Sequence, residues 1–241
     1  MISKNIKIYG LENLNDEKKL ADEDIHLWLI DIKHKWLEDH FQKQYGILNE
    51  REKEKYSRYV LEKHKKRFVC SRSILKLLVA DYLNIETNSV LIKYNERGKP
   101  FLEDNINYKN LYFNISHSYE LITIVFTLEN LIGVDIEYID KSRDIIGIAK
   151  KFFSNDEYNC INKYKDESRF RMFYIFWTFK EALLKCCGSG ISSNFKSISM
   201  PLIENYYFMN NKNGSCSYFN KIWKYNILEI CNEYITNIVY G

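Results

Sequence analysis

The sequence predicts a mixed α/β fold. Short runs rich in β-branched and aromatic residues, at 26–32 and 131–139, are typical of strands. Residues 62–83 and 168–187 instead show the apolar spacing of long helices. The order strand, helices, then two or more strands occurs twice, with a break near residue 118. The predicted parts are a polar, loosely ordered N-terminal extension at 1–24, a first α/β half at 25–118 and a second α/β half at 119–241.

Composition and charge are those of a soluble globular protein. Apolar residues make up 46% and charged residues 28% of the chain, which is ordinary for that class. The net charge of +3 is too small to indicate a nucleic-acid partner. No stretch reaches the length of an apolar membrane span, and the N-terminus lacks the apolar core of a signal peptide. The six cysteines show no zinc-binding spacing, so reduced thiols in a cytoplasmic protein are expected.

Strand and helix signals follow one another through the first half. After the strand at 26–32, Asn49 is suited to cap a helix that has an acidic first turn. The long helix at 62–83 comes next, and residues 90–94 alternate enough to predict a short strand. Glycine and proline then predict a turn at 95–100.

The predicted helix at 62–83 is basic on one face. Its apolar residues form a broad stripe that would face the core. The basic residues are Lys63, Lys65, Lys66, Arg67, Arg72 and Lys76. Such a face can hold phosphates, for which arginine is the better ligand, or it can simply be solvated. The residues alone leave both alternatives open.

A strand at 111–118 ends in small polar residues. Ser116 and His117 offer a hydroxyl and an imidazole that can donate hydrogen bonds to a phosphate. They do not form a catalytic dyad, because neighbouring residues of a strand point to opposite faces. A hairpin is predicted next, with strands at 121–128 and 131–139 joined across Glu129 and Asn130.

Two acidic residues stand out in the second strand of that predicted hairpin. Asp135 and Glu137 are two apart, so their side chains share one face of the strand. Two adjacent carboxylates repel each other and are costly to desolvate. A hard cation such as Mg²⁺ or Ca²⁺ would remove that cost. The alternative is an edge strand whose acidic face is solvated.

The second half continues with helices. Ser154 and Glu157 form the pattern of a capping box at a helix start. The long helix at 168–187 carries Glu181 and Lys185 four apart, the spacing of an ion pair on a helix surface, and should end at Gly188. The remaining predicted strands are at 197–199, 205–209, 217–222, 227–231 and 234–240.

Two runs taken together resemble a known enzyme family. Gly133-x-Asp135-x-Glu137 is followed after about forty residues by Trp177-x-x-Lys180-Glu181-Ala182-x-x-Lys185. This conjunction resembles the 4′-phosphopantetheinyl transferases of the larger, surfactin-synthetase-activating type. Gly98-Lys99-Pro100 and the run 113–118 (Phe-Asn-Ile-Ser-His-Ser) match two further motifs, whereas the run 150–153 has lysine where the family has arginine.

The resemblance implies a fold, a reaction and partners. The fold is a pseudo-dimer of two similar α/β halves within one chain, with a ligand cleft between them. The reaction transfers 4′-phosphopantetheine from coenzyme A to a serine of an apo acyl or peptidyl carrier protein, and releases adenosine 3′,5′-bisphosphate. It depends on Mg²⁺, with Mn²⁺ as an alternative. A monomer is expected, because two halves in one chain can form the cleft internally.

The resemblance also assigns roles to individual residues. Asp135, Glu137 and Glu181 are the expected metal ligands. Glu181 is the expected base for the carrier serine, and Lys185 would stabilise or protonate the leaving phosphate. The expected coenzyme A contacts are Lys55, Arg67, Lys99, Pro100, Ser116 and His117. Two other functions use the same residues: a hydrolase or nucleotidyl enzyme with the same three carboxylates, and a coenzyme A- or carrier-binding module without turnover.

Overall fold

The chain folds into two units, each built of helices and strands. The computed structural model describes residues 4–129, 131–188, 195–201 and 213–241. The first unit comprises Met1–Phe113 and Glu120–Asn130, and the second comprises Asn114–Tyr119 and Leu131–Gly241. The mixed α/β character is as predicted. The predicted division at 118 and 119 differs from these units, because the run 114–119 belongs with the second unit and 120–130 with the first.

The first unit begins with a strand that was not predicted. Strand β1 (Asn5–Tyr9) runs parallel to β2 (Asp24–Asp31), and Lys7 Nζ donates to Asp24 Oδ2 at 2.6 Å. Residues 5–9 are therefore part of a sheet and not of a loosely ordered extension. The strand is short and mostly polar, so its local pattern is weak, and its order comes from pairing with β2.

The remaining elements of the first unit keep the predicted order, but the helices at 35–39 and 41–46 and the strand at 100–102 were not predicted. The elements are α1 (Lys35–Asp39), α2 (Phe41–Gly46), α3 (Glu50–Ser57), α4 (Glu62–Leu83), β3 (Ile92–Tyr94), β4 (Pro100–Leu102), β5 (Tyr112–Ser118, whose last five residues belong to the second unit) and β6 (Leu121–Thr127). Asn49 caps α3 in a capping box with Glu52, and α4 has the predicted bounds. β2 lies between β1 and β6, antiparallel to β6. Its Ile25, Leu27 and Trp28 are fully buried in the core.

In its described residues, the second unit is one antiparallel sheet covered by helices. Its elements are β7 (Ile132–Tyr138), α5 (Ile145–Phe152), α6 (Asn155–Lys163), α7 (Asp166–Cys187), β8 (Asn213–Tyr218), β9 (Lys221–Ile230) and β10 (Tyr234–Tyr240). The strand order is β7-β10-β9-β8. The long helix α7 packs on β7 and β10, where Phe173, Phe176 and Phe179 are buried. The predicted capping box at Ser154 and the helix end at Gly188, with φ +66°, are confirmed.

The predicted hairpin across Glu129 and Asn130 is wrong. β6 pairs with β2, whereas β7 pairs with β10 in a different sheet. The connecting pair of residues contains no glycine, and the two-residue turns that close hairpins favour glycine combinations such as Asn-Gly. Proximity in sequence was therefore a poor guide to strand pairing here.

The C-terminal strand predictions have mixed outcomes. The strand at 234–240 is confirmed as β10, and 227–231 falls largely within β9. The predicted strand at 197–199 is wrong, since Phe195–Ser197 forms a 3₁₀ turn. The predicted strand at 217–222 contains the turn between β8 and β9, where Phe219 and Asn220 have positive φ. The predicted strand at 205–209 lies outside the described residues.

Two further features bear on the sequence analysis. None of the six cysteines is joined in a disulfide, and four of them are buried. In the described ranges, none of the helices combines the length and the apolar character that crossing a membrane requires.

Candidate active site

The alternation of side chains along a strand directs two carboxylates toward one helix. Asp135 and Glu137 alternate along β7, and Glu181 and Lys185 lie one turn apart on α7, which packs on that strand. Asp135 and Glu181 are buried, with 4% and 8% of their surface exposed. The alternative of a solvated acidic strand face is therefore wrong.

Gly133 explains why the strand and the helix come so close together. A Cβ atom at this position would clash with the backbone oxygen of Ala182 and with the backbone nitrogen of Cys186, both on α7. Any larger residue would push the helix away from the strand. The glycine thus sets the distance between the carboxylates of β7 and the charged residues of α7.

Lys185 pairs with the strand and not with Glu181. Its Nζ donates to Asp135 Oδ1 at 2.7 Å, to Ser116 Oγ at 2.8 Å and to the carbonyl oxygen of Val134 at 3.2 Å. The alternative of a Glu181–Lys185 ion pair on the helix surface is therefore wrong. The ammonium group fills a cation position against the carboxylate of Asp135.

The carboxylates of this site are electrostatically strained. Burial, together with the negative charges of Asp135 and Glu137, raises the pKa of Glu181 to about 7, while Lys185 opposes the shift. Burial and the charge of Asp135 also raise the pKa of Glu137, against the hydrogen bond from Ser118. One lysine does not compensate three neighbouring carboxyl groups. The site favours an additional positive charge.

Side chains of β5 hold β7 in place. Ser116 Oγ donates to Asp135 Oδ1 at 2.8 Å, and Ser118 Oγ donates to Glu137 Oε2 at 2.8 Å. Asn114 Oδ1 accepts a hydrogen bond from the backbone N–H of Val134 at 3.0 Å. The sequence analysis did not identify Asn114 or Ser118 as site residues. The signal that could have identified them was their spacing. Asn114, Ser116 and Ser118 alternate along the strand, so their side chains share one strand face.

The donor set fits a divalent cation. The described ranges contain no group of three His, Cys, Asp or Glu side chains that is arranged to hold a metal ion. However, Asp135 Oδ2 is buried without a hydrogen-bond partner, which is costly for a carboxylate oxygen. Hard oxygen ligands of this kind suit Mg²⁺ or Mn²⁺. Asp135, Glu137 and Glu181 are therefore the residues that would hold such an ion.

Four of the predicted coenzyme A contacts lie in the first unit. Lys55 on α3 lines an open cavity of about 490 Å³ together with Arg51, Glu54, Arg58 and Tyr59. Arg67 lies near the start of α4 and is partly buried, as are Lys99 and Pro100 where the turn enters β4. These positions agree with the elements on which the sequence placed them. Their binding role stays a prediction.

The two other predicted contacts lie in the second unit, on β5. Ser116 is buried against Asp135 and Lys185, whereas His117 is exposed on the opposite strand face. On the predicted basic face of α4, Lys76 is buried and pairs with Glu52 Oε2 at 2.5 Å. Lys76 therefore stabilises the first unit instead of forming part of that face.

Comparisons with known proteins agree with these features. Residues 131–238 match the family described as "4'-phosphopantetheinyl transferase superfamily", and residues 34–128 match "4'-phosphopantetheinyl transferase, N-terminal". The chain is 34% identical over 173 residues to the 4′-phosphopantetheinyl transferase HetI of Nostoc sp., covering 72% of each chain. It is 29% identical to the 4′-phosphopantetheinyl transferase gsp of Aneurinibacillus migulanus, covering 75% of this chain and 82% of that protein. It is also 31% identical to the 4′-phosphopantetheinyl transferase ffp of Bacillus subtilis, covering 66% and 68%.

Proposed function

Because the chain belongs to the 4′-phosphopantetheinyl transferase family, we propose that it modifies a carrier protein. It transfers 4′-phosphopantetheine from coenzyme A to a serine hydroxyl of an apo acyl or peptidyl carrier protein, and releases adenosine 3′,5′-bisphosphate. The observation that carries the proposal is the set of buried Asp135 and Glu181 and partly buried Glu137 beside Lys185. Phosphoryl-type transfer depends on alignment and charge neutralisation, which such a set supplies.

The residues of the second unit divide the chemistry between them. Asp135, Glu137 and Glu181 would hold Mg²⁺ or Mn²⁺, which would supply positive charge to neutralise the pyrophosphate of coenzyme A. Glu181 accepts the proton of the carrier serine as the serine oxygen bonds to the β-phosphorus of coenzyme A. The bond from that phosphorus to the oxygen of the adenosine bisphosphate breaks, and Lys185 stabilises or protonates the leaving oxygen. In the metal-free protein the pKa of Glu181 is about 7, and a bound cation would favour the ionised form that accepts the proton.

Substrate and partner binding complete the proposal. Lys55, Arg67, Lys99, Pro100, Ser116 and His117 contact the nucleotide and phosphates of coenzyme A, and the protein is a monomer. Basic residues and hydroxyls are suitable donors to phosphate oxygens. The partner is a carrier protein that is acidic around its modified serine. A cytoplasmic location is proposed, in agreement with cysteines that form no disulfide.

Intact-mass spectrometry of the carrier protein tests the reaction. We would incubate an apo carrier protein with this protein, coenzyme A and Mg²⁺, and look for a mass gain of one phosphopantetheine group. The gain should be lost with Asp135→Asn and with Glu181→Gln. Glu167→Gln is the matched control, because Glu167 lies on the same helix but is exposed and should leave the transfer intact.

Other outcomes distinguish the competing functions. No mass gain across several carriers, with coenzyme A still bound, would identify a binding module without turnover. Cleavage of coenzyme A in the absence of carrier would identify a hydrolase that uses the same carboxylates. Transfer that persists in both site variants would contradict the proposed roles of Asp135 and Glu181.

A further inference from the structure

Three alternate residues of β5, which we call the β5 polar row, face β7. They are Asn114, Ser116 and Ser118. Among the described strands β7 is the outer one of its sheet, so one of its edges has no strand partner in that part of the chain. Asn114 Oδ1 accepts from the N–H of Val134 at 3.0 Å, and Ser118 Oγ accepts from the N–H of Tyr138 at 3.1 Å. Side chains of the row thus satisfy backbone groups that would otherwise need a strand or water.

The two serines of the row act alike on the carboxylates. A hydroxyl group has one proton to donate. When another group donates to the hydroxyl oxygen, the directions in which that proton can point are restricted. Ser118 Oγ accepts from Tyr138 and donates to Glu137 Oε2. Ser116 Oγ accepts from Lys185 and donates to Asp135 Oδ1. Each carboxylate therefore receives one directed hydrogen bond from the strand opposite.

We propose that Ser118 is a positioning residue that holds Glu137 ready to bind the divalent cation. The inference rests on the proposed function for the identity of the metal site, and goes beyond it by adding a residue that touches neither substrate nor metal. Asp135 and Glu137 would repel each other across one strand face. The bond from Ser118 keeps the Glu137 carboxylate beside that of Asp135. Partners that orient a metal ligand typically change affinity by about 10–100-fold when they are removed.

Binding of Mn²⁺ tests this role directly. We would titrate the protein with Mn²⁺ in the presence of coenzyme A and without carrier, and follow the free ion by electron paramagnetic resonance. We expect the Kd to rise about tenfold in Ser118→Ala and to recover in Ser118→Thr, which keeps the hydroxyl. Ser71→Ala is the matched control. Its hydroxyl is similarly buried, but bonds the carbonyl oxygen of Phe68 instead of a carboxylate.

Kinetics separate positioning from direct catalysis. At saturating metal, Ser118→Ala should transfer phosphopantetheine at nearly the wild-type kcat, with the loss confined to the metal concentration required. If Ser118→Ala folds poorly, Ser118→Cys replaces it, because a thiol is a weak donor and should also weaken Mn²⁺ binding.

Several results would overturn the inference. They are an unchanged Kd in Ser118→Ala, a fall in kcat at saturating metal with unchanged Kd, and an absence of Mn²⁺ binding by the wild type. Failure of the proposed function looks different. In that case the wild type binds Mn²⁺ and responds to Ser118→Ala, but no carrier protein gains mass.

Discussion

Two lysines of helix α7 pair with buried carboxylates, but the two pairs have opposite characters. Lys180 Nζ lies 2.8 Å from Glu157 Oε2, and neither side chain is exposed to solvent. Lys185 Nζ lies 2.7 Å from Asp135 Oδ1, with 30% of the lysine side chain exposed. The two pairs are alike in distance and in residue type. They differ in what surrounds them.

The pair at Lys180 is complete. The ammonium also donates to the carbonyl oxygens of Phe195 and Ile198. Glu157 accepts from the backbone N–H groups of Ser154 and Met200, so both carboxylate oxygens have partners. Satisfied groups of this kind bind the start of α6 and the segment 195–200 to α7. The pair is structural.

The pair at Lys185 is incomplete. Asp135 Oδ2 is buried without a partner, and two further carboxyl groups with raised pKa values lie beside it. An ion pair that leaves negative charge uncompensated provides a place for a ligand cation. The comparison teaches that hydrogen-bond completeness and solvent exposure, and not pair distance, distinguish the structural pair from the pair that we propose to be functional.

Breaking the complete pair should have the largest effect on stability. Lys180→Met leaves Glu157 buried without its cation and removes the donor to two carbonyl oxygens, so we expect a loss of about 3–5 kcal/mol in the free energy of unfolding. Urea denaturation measures it. Lys185→Met is the matched control, and should cost less than half as much because its side chain reaches solvent. Equal losses in the two variants would contradict the comparison.

The effect of Glu181, beside the incomplete pair, on the stability of the protein should depend on pH. Burial and the charges of Asp135 and Glu137 raise the pKa of Glu181 from 4.5 to about 7 in the folded protein. The protonated form is therefore favoured by folding, and its contribution is present below pH 4.5 and is lost as the pH rises through 7. Glu181→Gln cannot ionise, so it should gain stability over the metal-free wild type as the pH rises, by at most about 3 kcal/mol.

Denaturation in chelator at pH 5.5 and pH 8.5 measures this difference. His26 also has a shifted pKa, which burial lowers to about 4, but it titrates equally in both proteins and cancels. The interpretation fails if the variant and the wild type change in parallel over this range.

Local patterns in the sequence predicted the parts of the site that depend on local structure. The bounds of α4, the capping residues Asn49 and Ser154, and the shared face of Asp135 and Glu137 all follow from spacing along one element. Propensity and periodicity act over a few residues, so they were sufficient here. They bring each functional side chain to the correct face of its own helix or strand.

The partners of those side chains could not be predicted in this way. Lys185 bonds Ser116 across 69 residues and Asp135 across 50. The spacing along the helix had instead suggested its neighbour Glu181 as the partner. Ser118 bonds Glu137 only because the fold brings the end of β5 into contact with β7. The hairpin prediction was wrong for the same reason: β7 pairs with β10, a strand that is distant in sequence, and local patterns do not show such pairing. Contacts between distant segments require the fold.

Metal should stabilise the incomplete pair and leave the complete one unaffected. At ten times its Kd, a cation that binds only the folded state adds about 1.4 kcal/mol to the free energy of unfolding. We expect Mg²⁺ to raise the melting temperature of the wild type and of Glu157→Gln, but not that of Asp135→Asn. Calorimetry with and without Mg²⁺ measures the shifts. The same shift in Asp135→Asn would place the cation elsewhere.

The smallest effect is expected at a third pair, on the first turn of the same helix. Lys141 Nζ lies 3.1 Å from Glu167 Oε2, and both side chains are more than half exposed. Water solvates these charges whether or not they meet, so the gain from pairing is offset by the ordering of two long side chains. Lys141→Ala should therefore leave the midpoint of urea denaturation unchanged within error. A clear loss of stability in Lys141→Ala would mean that pairing itself, and not the completeness of a buried network, controls what each lysine contributes.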